Sequence, residues 1–186
     1  MPIIKSEEGE REAVLHASRL MLVSARTAPK SGGVDDILTA VVFGKEKEAL
    51  AEEMDKMAEE RKNDGFKRDA NNLRDSEAAV LIGVRGTRHF TMNCGACGYD
   101  TCNEFDEAPK KAGRDFMGPN CIFKALDLGI ALGSAVKTAS LLNVDNRIMY
   151  RVGTAARRLN LLPEATVIMG IPISAKGKSI YFDRQK

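Results

Sequence analysis

Four cysteines are the residues of this sequence whose type and spacing could do chemistry. Cys94, Cys97 and Cys102 lie within nine residues and Cys121 follows, so the pattern is C-x2-C-x4-C-x18-C. A cubane iron–sulfur cluster takes one thiolate on each of four irons, and a short loop can supply three of them. Structural zinc more often shows two C-x2-C pairs, and only one is present here. The spacing favours a 4Fe–4S cluster, with structural zinc and redox-active thiols as the alternatives.

The residues between and beside the cysteines fit the same interpretation. Gly95 and Gly98 can adopt positive φ, so we expect their amide groups to approach the sulfurs of a cluster. Tyr99 and Phe105 are expected to pack around the site and to limit the access of water, which tunes a cluster's potential. His89 lies shortly before the first cysteine and is a candidate neighbour of the ligands.

Two helices are predicted to begin at cysteines. Thr101 followed by Glu104 is a capping-box pattern, so a helix should start near Cys102. Asn120 is the expected N-cap of a longer helix that carries Cys121 in its first turn. Both positive helix ends would then point at the metal, where they would stabilise an anionic cluster.

The rest of the chain must position these ligands. The hydrophobic patterns predict helices, buried strands and loops in a mixed order, which indicates an α+β fold with a small sheet flanked by helices. In chain order the expected elements are a helix over 7–26, a loop over 27–33, a strand over 36–44, a helix over 45–62, a strand over 77–86, a helix over 121–143, a helix ending near Pro163, a strand over 165–174 and an edge strand in 178–184.

Composition excludes some functions. The chain has 186 residues, 44% hydrophobic and 29% charged, with a net charge of +2, so no basic excess points to nucleic acid or to an anionic membrane as a partner. Asp127 and Lys137 interrupt the longest apolar run, and the start lacks the pattern of a secretory signal. We expect one cytoplasmic domain over residues 1–186, with an iron–sulfur segment over residues 90–125 inside it.

The run CGACGYDTCNEF and its later cysteine resemble a known cluster domain. Similar segments occur in the gamma subunit of the CO dehydrogenase/acetyl-CoA synthase complex and in the B subunit of the Rnf electron-transport complex. The whole chain resembles a family of uncharacterised proteins with a ferredoxin domain. This resemblance implies a 4Fe–4S cluster bound by Cys94, Cys97, Cys102 and Cys121.

Three further stretches resemble flavin-dependent nitroreductases. SARTAPKSGG is similar to the loop after that family's first helix, although Lys30 stands where the loop usually has Ser and Gly33 where it usually has Asn. DLGIALGSAVKTASLLNV is similar to its long central helix, and RLNLLPEATVIMGIP to its L-x-L-P-E segment and final strand. The resemblance implies a nitroreductase-like α+β fold with a small, mainly antiparallel sheet.

The same resemblance implies a cofactor and a partner. Nitroreductases form tight homodimers through the long helix and bind FMN at the dimer interface, so the face of Gly129 and Gly133 is expected to lie in such an interface. Glycine inside a helix usually permits a close approach by another helix, within the chain or between subunits. The residues expected to contact FMN are Arg26, Lys30, Ser31 and Arg184.

Together these features predict a cytoplasmic iron–sulfur redox protein that passes single electrons to or from a flavin or a partner protein. Such a protein could be a flavin and iron–sulfur oxidoreductase. The alternative is a non-enzymatic binding or regulatory module, whose cluster is structural or senses oxygen or iron. No residue of the sequence stands out as a catalytic acid or base.

Overall fold

The computed structural model describes residues 3–182, which form an α+β fold. The helices are α1 (Ser6–Thr27), α2 (Gly44–Arg61), α3 (Asp64–Arg74), α4 (Cys102–Glu107), α5 (Ile122–Leu141) and α6 (Tyr150–Arg158). The strands are β1 (Ile37–Phe43), β2 (Ala78–Val84), β3 (Lys111–Ala112), β4 (Met117–Gly118), β5 (Asp145–Asn146) and β6 (Val167–Ser174). A short 3₁₀ turn, Ser31–Gly33, lies in the predicted loop after α1.

Four strands form the main sheet, in the order β1-β2-β6-β5, and every pair is antiparallel. Leu81 at the middle of β2 is paired with Ala40 on one side and with Gly170 on the other. The small antiparallel sheet flanked by helices is therefore confirmed.

The sheet is buried on both faces because alternate residues of β2 point in opposite directions. Val80 and Ile82 pack with α1 and α5, whereas Ala79 and Leu81 pack with α2, α3 and α6. Leu81 is fully buried, and truncating a buried leucine to alanine costs about 3 kcal/mol. We call this main sheet with α1, α2, α3, α5 and α6 the scaffold.

Helix α3 is an element that the sequence patterns above did not predict. The side chain of Asn63 caps its start by accepting the amide of Gly65 at 2.9 Å. Phe66, Ala70 and Leu73 then recur at helical spacing and are buried against α2 and α6. This apolar stripe is narrow and lies in an otherwise polar stretch, so the hydrophobic pattern of α3 is weak.

The predicted edge strand at 178–184 is wrong for its described part. Residues 178–182 form no strand, and residues 183 and 184 lie outside the described residues. The edge is formed by β5, where Asp145 pairs with Ser174. Tyr181 is buried instead, with its hydroxyl 2.9 Å from that of Ser76, so the tail is held by side-chain packing.

The chain leaves the scaffold after β2 and returns at α5. The intervening residues 87–120, which we call the cysteine segment, contain α4 and the hairpin β3–β4. Within residues 3–182, none of the helices is both apolar and long enough to cross a membrane.

Candidate metal centre

The four cysteines line one pocket where the cysteine segment meets the start of α5. About 340 Å³ of space lies between the lining atoms, part of it open to solvent. All four thiols are free, and their exposure is graded: Cys94 is exposed, Cys97 and Cys102 are half-buried, and Cys121 is 6% exposed. Four thiols around a largely apolar pocket are the donor set that a 4Fe–4S cluster requires, so these residues fit the predicted group.

Cys121 is attached to the scaffold rather than to the cysteine segment. It is the N-cap residue of α5, and its amide donates to the carbonyl oxygen of Gly86, just after β2, at 2.8 Å. A side chain on Gly86 would not fit, because its Cβ would lie 2.0 Å from Oδ1 of Asn120. The end of β2 therefore fixes the backbone of the buried cysteine.

The prediction that Asn120 caps α5 is wrong. Its Oδ1 accepts from the hydroxyl of Thr166 at 2.5 Å, and its Nδ2 donates to the carbonyl of Met117 at 2.6 Å. The side chain is thus drawn towards β6 and the hairpin, and Cys121, with an extended backbone, takes the cap position. Asn120 still contributes to the site, since it ties the residue before Cys121 to the scaffold.

The helix start predicted at Cys102 is confirmed. The Thr101 hydroxyl accepts the amide of Glu104 at 3.2 Å, and α4 begins at Cys102. The returning bond of the capping box is shifted by one residue, because the Glu104 carboxylate accepts from the amide of Asp100. Local side-chain bonds therefore determine where the third cysteine lies.

The loop between the first cysteines has the predicted backbone, with φ of +70° at Gly95 and +88° at Gly98. The amide of Gly98, however, donates to the carbonyl of Gly95 at 2.9 Å and closes a turn. An amide-to-sulfur bond comes instead from Asn93, whose N–H lies 3.4 Å from Sγ of Cys102. The sequence patterns above did not identify Asn93, although asparagine is among the residues that tolerate positive φ.

Aromatic side chains form the wall of the pocket. Phe105 is 1% exposed and makes edge-to-face contacts with Tyr99, at 5.9 Å between ring centroids, and with His89 at 6.4 Å. Phe90 makes a similar contact with Phe123 at 5.2 Å. Tyr99 and Phe105 therefore lie where they were expected, and the rings reduce the access of water to the thiols.

His89 is held in one orientation beside the pocket. Its Nδ1 accepts the amide of Thr91 at 2.9 Å, so the ring proton is on Nε2, which lies 2.8 Å from the carboxylate of Asp106. The His89–Asp106 pair joins the start of the cysteine segment, which follows β2, to α4. His89 thus lines the same pocket as the cysteines, and both of its ring nitrogens already have hydrogen-bond partners.

A buried charge cluster lies one turn beyond Cys121. The ammonium of Lys124, with 0% exposure, is 2.9 Å from Oδ2 of Asp36, 3.0 Å from the carbonyl of Val34 and 3.8 Å from Oδ2 of Asp127. Arg88 pairs with the other oxygen of Asp36 at 3.1 Å. Buried charges persist where they are paired, and this cluster fastens α5 to the loop after α1.

Three residues expected to contact FMN lie near one another at the end of α1 and in the loop after it, but their donors are used within the chain. Arg26 pairs with Asp35 and also donates to the carbonyl of Ile37 at 3.0 Å. Burial lowers the pKa of Lys30, and its ammonium donates to the carbonyls of Ala25, at 3.0 Å, and of Arg26.

The amide and hydroxyl of Ser31 both donate to Asp127 at 2.8 Å, and Arg184 lies outside the described residues. The carboxylate of Asp127 thus already accepts from both donors of Ser31. As arranged, these three described residues do not fit an FMN phosphate.

Gly129 and Gly133 face open space, because a Cβ on either would meet no atom of the described chain within 4 Å. An internal helix contact at these glycines, one of the two explanations above, is therefore wrong. The exposed face of α5 also carries Ile122, Leu126 and Ile130.

Among residues 3–182, no three His, Cys, Asp or Glu side chains converge on the position of a single metal ion.

Comparison with known proteins identifies the family. A family model described as "Uncharacterized protein containing a ferredoxin domain (DUF2148)" matches residues 117–184. Cys121 lies within the matched residues, and the other three cysteines precede them. An uncharacterized protein of Archaeoglobus fulgidus is 50% identical over 182 residues, covering 98% of this chain and 97% of its own. The chain belongs to this ferredoxin-domain family.

The fold of this family member is that of nitroreductases. A nitroreductase of Desulfitobacterium hafniense, solved with bound FMN, has a TM-score of 0.56 and 13% identity, covering 95% of this chain and 81% of its own. Nitroreductase A of Vibrio parahaemolyticus has a TM-score of 0.53 and 12% identity. The match covers 96% of this chain but only 61% of the Vibrio chain. At these identities the likeness shows the fold alone, and it confirms the predicted nitroreductase-like architecture.

Proposed function

We propose that this chain binds one 4Fe–4S cluster through Cys94, Cys97, Cys102 and Cys121 and serves as a one-electron carrier. The observation that carries the proposal is that all four free thiols line one pocket, although Cys121 belongs to the scaffold and the other three to the cysteine segment. Membership of a family with a ferredoxin domain supports it. When bound, a cluster of this kind accepts one electron from a reduced carrier and returns it to an oxidised one, with no covalent bond made or broken.

The residues around the pocket would have different roles in such an electron carrier. Cys121 is buried and fixed by Gly86, so it anchors the site to the rigid sheet. Cys94 is exposed, which leaves that edge of the site open to a protein that donates or accepts electrons. Phe105 covers the inner side and keeps water from it. Electron exchange therefore belongs at the Cys94 edge.

Analysis of anaerobically purified protein tests the proposal. We expect about four irons and four acid-labile sulfides per chain. Reduced methyl viologen should transfer one electron to each chain, which bleaches the visible absorbance. An oxidised ferredoxin should remove this electron and restore the absorbance. Stoichiometric zinc without sulfide would contradict the proposal and leave a structural zinc site.

A second candidate function is that of a non-enzymatic module with a structural or sensing cluster. This candidate is favoured because the donors expected to bind the flavin phosphate already bind groups of the chain itself. They belong to Arg26, Lys30 and Ser31. FMN bound in the fold relative from Desulfitobacterium hafniense favours the flavin-linked enzyme. Heat denaturation separates the two: released FMN supports the enzyme, whereas a cluster without flavin that methyl viologen cannot reduce supports the module.

We further propose that two copies associate through α5 and that the protein works in the cytoplasm with an electron-transfer protein as its partner. The open space at Gly129 and Gly133 beside exposed Leu126 and Ile130 supports a helix-to-helix interface. Gly133→Trp would block a close approach of the two helices, so light scattering should show a dimer for the wild type and a monomer for the variant. A monomeric wild type would contradict this part of the proposal.

A further inference from the structure

Asn93 makes two bonds to one and the same cysteine. Its backbone amide donates to Sγ of Cys102 at 3.4 Å, and its side-chain Oδ1 accepts from the backbone amide of Cys102 at 2.8 Å. Asn93 and Cys102 lie nine positions apart in the sequence, and together the bonds close a ring between the start of the loop and the first residue of α4. We propose that Asn93 is a positioning residue that fixes the thiolate of Cys102 and tunes the reduction potential of the cluster it holds.

The two bonds act on different properties of the site. An amide that donates to a ligand sulfur disperses its negative charge, which favours the reduced and more negative form and raises the potential. The bond from Oδ1 holds the backbone of Cys102, which lies at the exposed start of a helix of six residues. Without that bond the amide of Cys102 loses the acceptor it has in this structure, and the ligand can leave more easily.

The backbone at Asn93 explains why asparagine suits this position. Its φ is +49°, in the left-handed region. Asparagine and aspartate are tolerated there, whereas most other residues with a side chain are disfavoured. In this conformation the amide and the side chain of one residue both reach the same cysteine. Asn93 is exposed, so substitutions there leave the buried core of the scaffold intact.

Three variants separate these effects, and the inference rests on the proposed cluster. Asn93→Gly keeps the left-handed backbone but loses the side-chain bond, so iron loss to a chelator should be about fivefold faster than in the wild type. Asn93→Ala also disfavours positive φ, so its iron loss should be roughly tenfold faster again, with a lower midpoint potential. Asn93→Asp keeps both bonds and adds a negative charge, so iron should be retained while the potential falls.

A matched control is Asn143→Ala. Asn143 also has positive φ, +54°, and is exposed, but it follows α5 on the scaffold, away from the pocket. We expect Asn143→Ala to keep the wild-type rate of iron loss and the wild-type potential. If Asn93→Ala matches the wild type in both, or if Asn143→Ala loses iron as fast as Asn93→Ala, the inference is overturned. A wild type without iron and sulfide overturns the proposed function, and the inference with it.

Discussion

The scaffold and the cysteine segment differ in what holds each of them together. Two large apolar clusters stabilise the scaffold, and every residue of β2 is buried between them. Within residues 87–120, all of which the structure describes, Phe105 is the one buried residue. A stretch of 34 residues with one core side chain cannot offset the conformational entropy lost on ordering. Local caps, a few tethers and the proposed cluster must therefore hold the segment in place.

The largest expected effect is on the stability of the scaffold, and it follows from removing the charge of Lys124. Lys124→Met leaves the carboxylates of Asp36 and Asp127 buried without their ammonium, which we expect to lower the free energy of unfolding by about 3–5 kcal/mol. Lys137→Met, on an exposed position of the same helix, should change it by less than about 0.5 kcal/mol. Denaturant unfolding measures both, and equal values would contradict the structural role of the buried cluster.

Removing the metal should act mostly on the other region, the cysteine segment. Anaerobic iron chelation should accelerate amide hydrogen exchange in residues 93–107 by about 100-fold, because this part has little buried apolar surface of its own. Exchange in β2 should accelerate much less, since two apolar clusters of the scaffold stabilise it. A uniform acceleration in both regions would show that the division into scaffold and segment is wrong.

Two ligand substitutions sharpen the comparison. Cys94→Ala and Cys121→Ala each remove one thiolate, and both should lower cluster occupancy and the melting temperature. Cys121 is also a buried packing residue, so Cys121→Ala should be less stable than Cys94→Ala by about 1 kcal/mol. Melting curves and iron content check this. Lost iron with an unchanged melting temperature would show that the cluster does not stabilise the fold.

A pH dependence tests a smaller tether between the two regions. Asp115 of the cysteine segment binds Arg61 of α2, at 2.6 Å, and the hydroxyl of Tyr150 of α6. Burial acts to raise the pKa of Asp115, but the bonds from Tyr150 and Arg61 outweigh it and hold that pKa below its usual 3.8.

Because this pKa is lowered on folding, the contribution of the tether is complete above pH 3.8 and is lost as the pH falls through the lowered value. We expect an effect below about 1 kcal/mol, seen as faster exchange in residues 111–118 at low pH. Asp115→Asn should show the faster exchange at every pH. A wild type whose exchange follows only the intrinsic pH dependence would rule the tether out.

The parts of the site that depend on local sequence were predictable. The cap at Thr101 and the positive φ of Gly95 and Gly98 depend on residues within a few positions of one another. The regular patterns of β2 and α5 likewise indicated the buried strand and the long helix. These features were confirmed because nothing distant in the chain competes with them.

The contacts between distant residues could not be predicted in the same way. Asn120 bonds to Thr166, 46 residues later, and this competes with the cap that its local sequence favours. Lys124 is buried because Asp36, far earlier in the chain, lies opposite it in the fold. Asn93 contacts Cys102 across a loop in which the backbone of Asn93 itself has a positive φ. A single sequence does not reveal such pairs.

The most direct test of the central claim is a potentiometric electron paramagnetic resonance titration of the anaerobically purified protein. A redox-active cluster on these four cysteines predicts a reversible one-electron signal typical of a reduced 4Fe–4S centre, with about four irons per chain. Cys94→Ala and Cys121→Ala should both abolish it. Stoichiometric zinc, with no signal at any potential, would contradict the account.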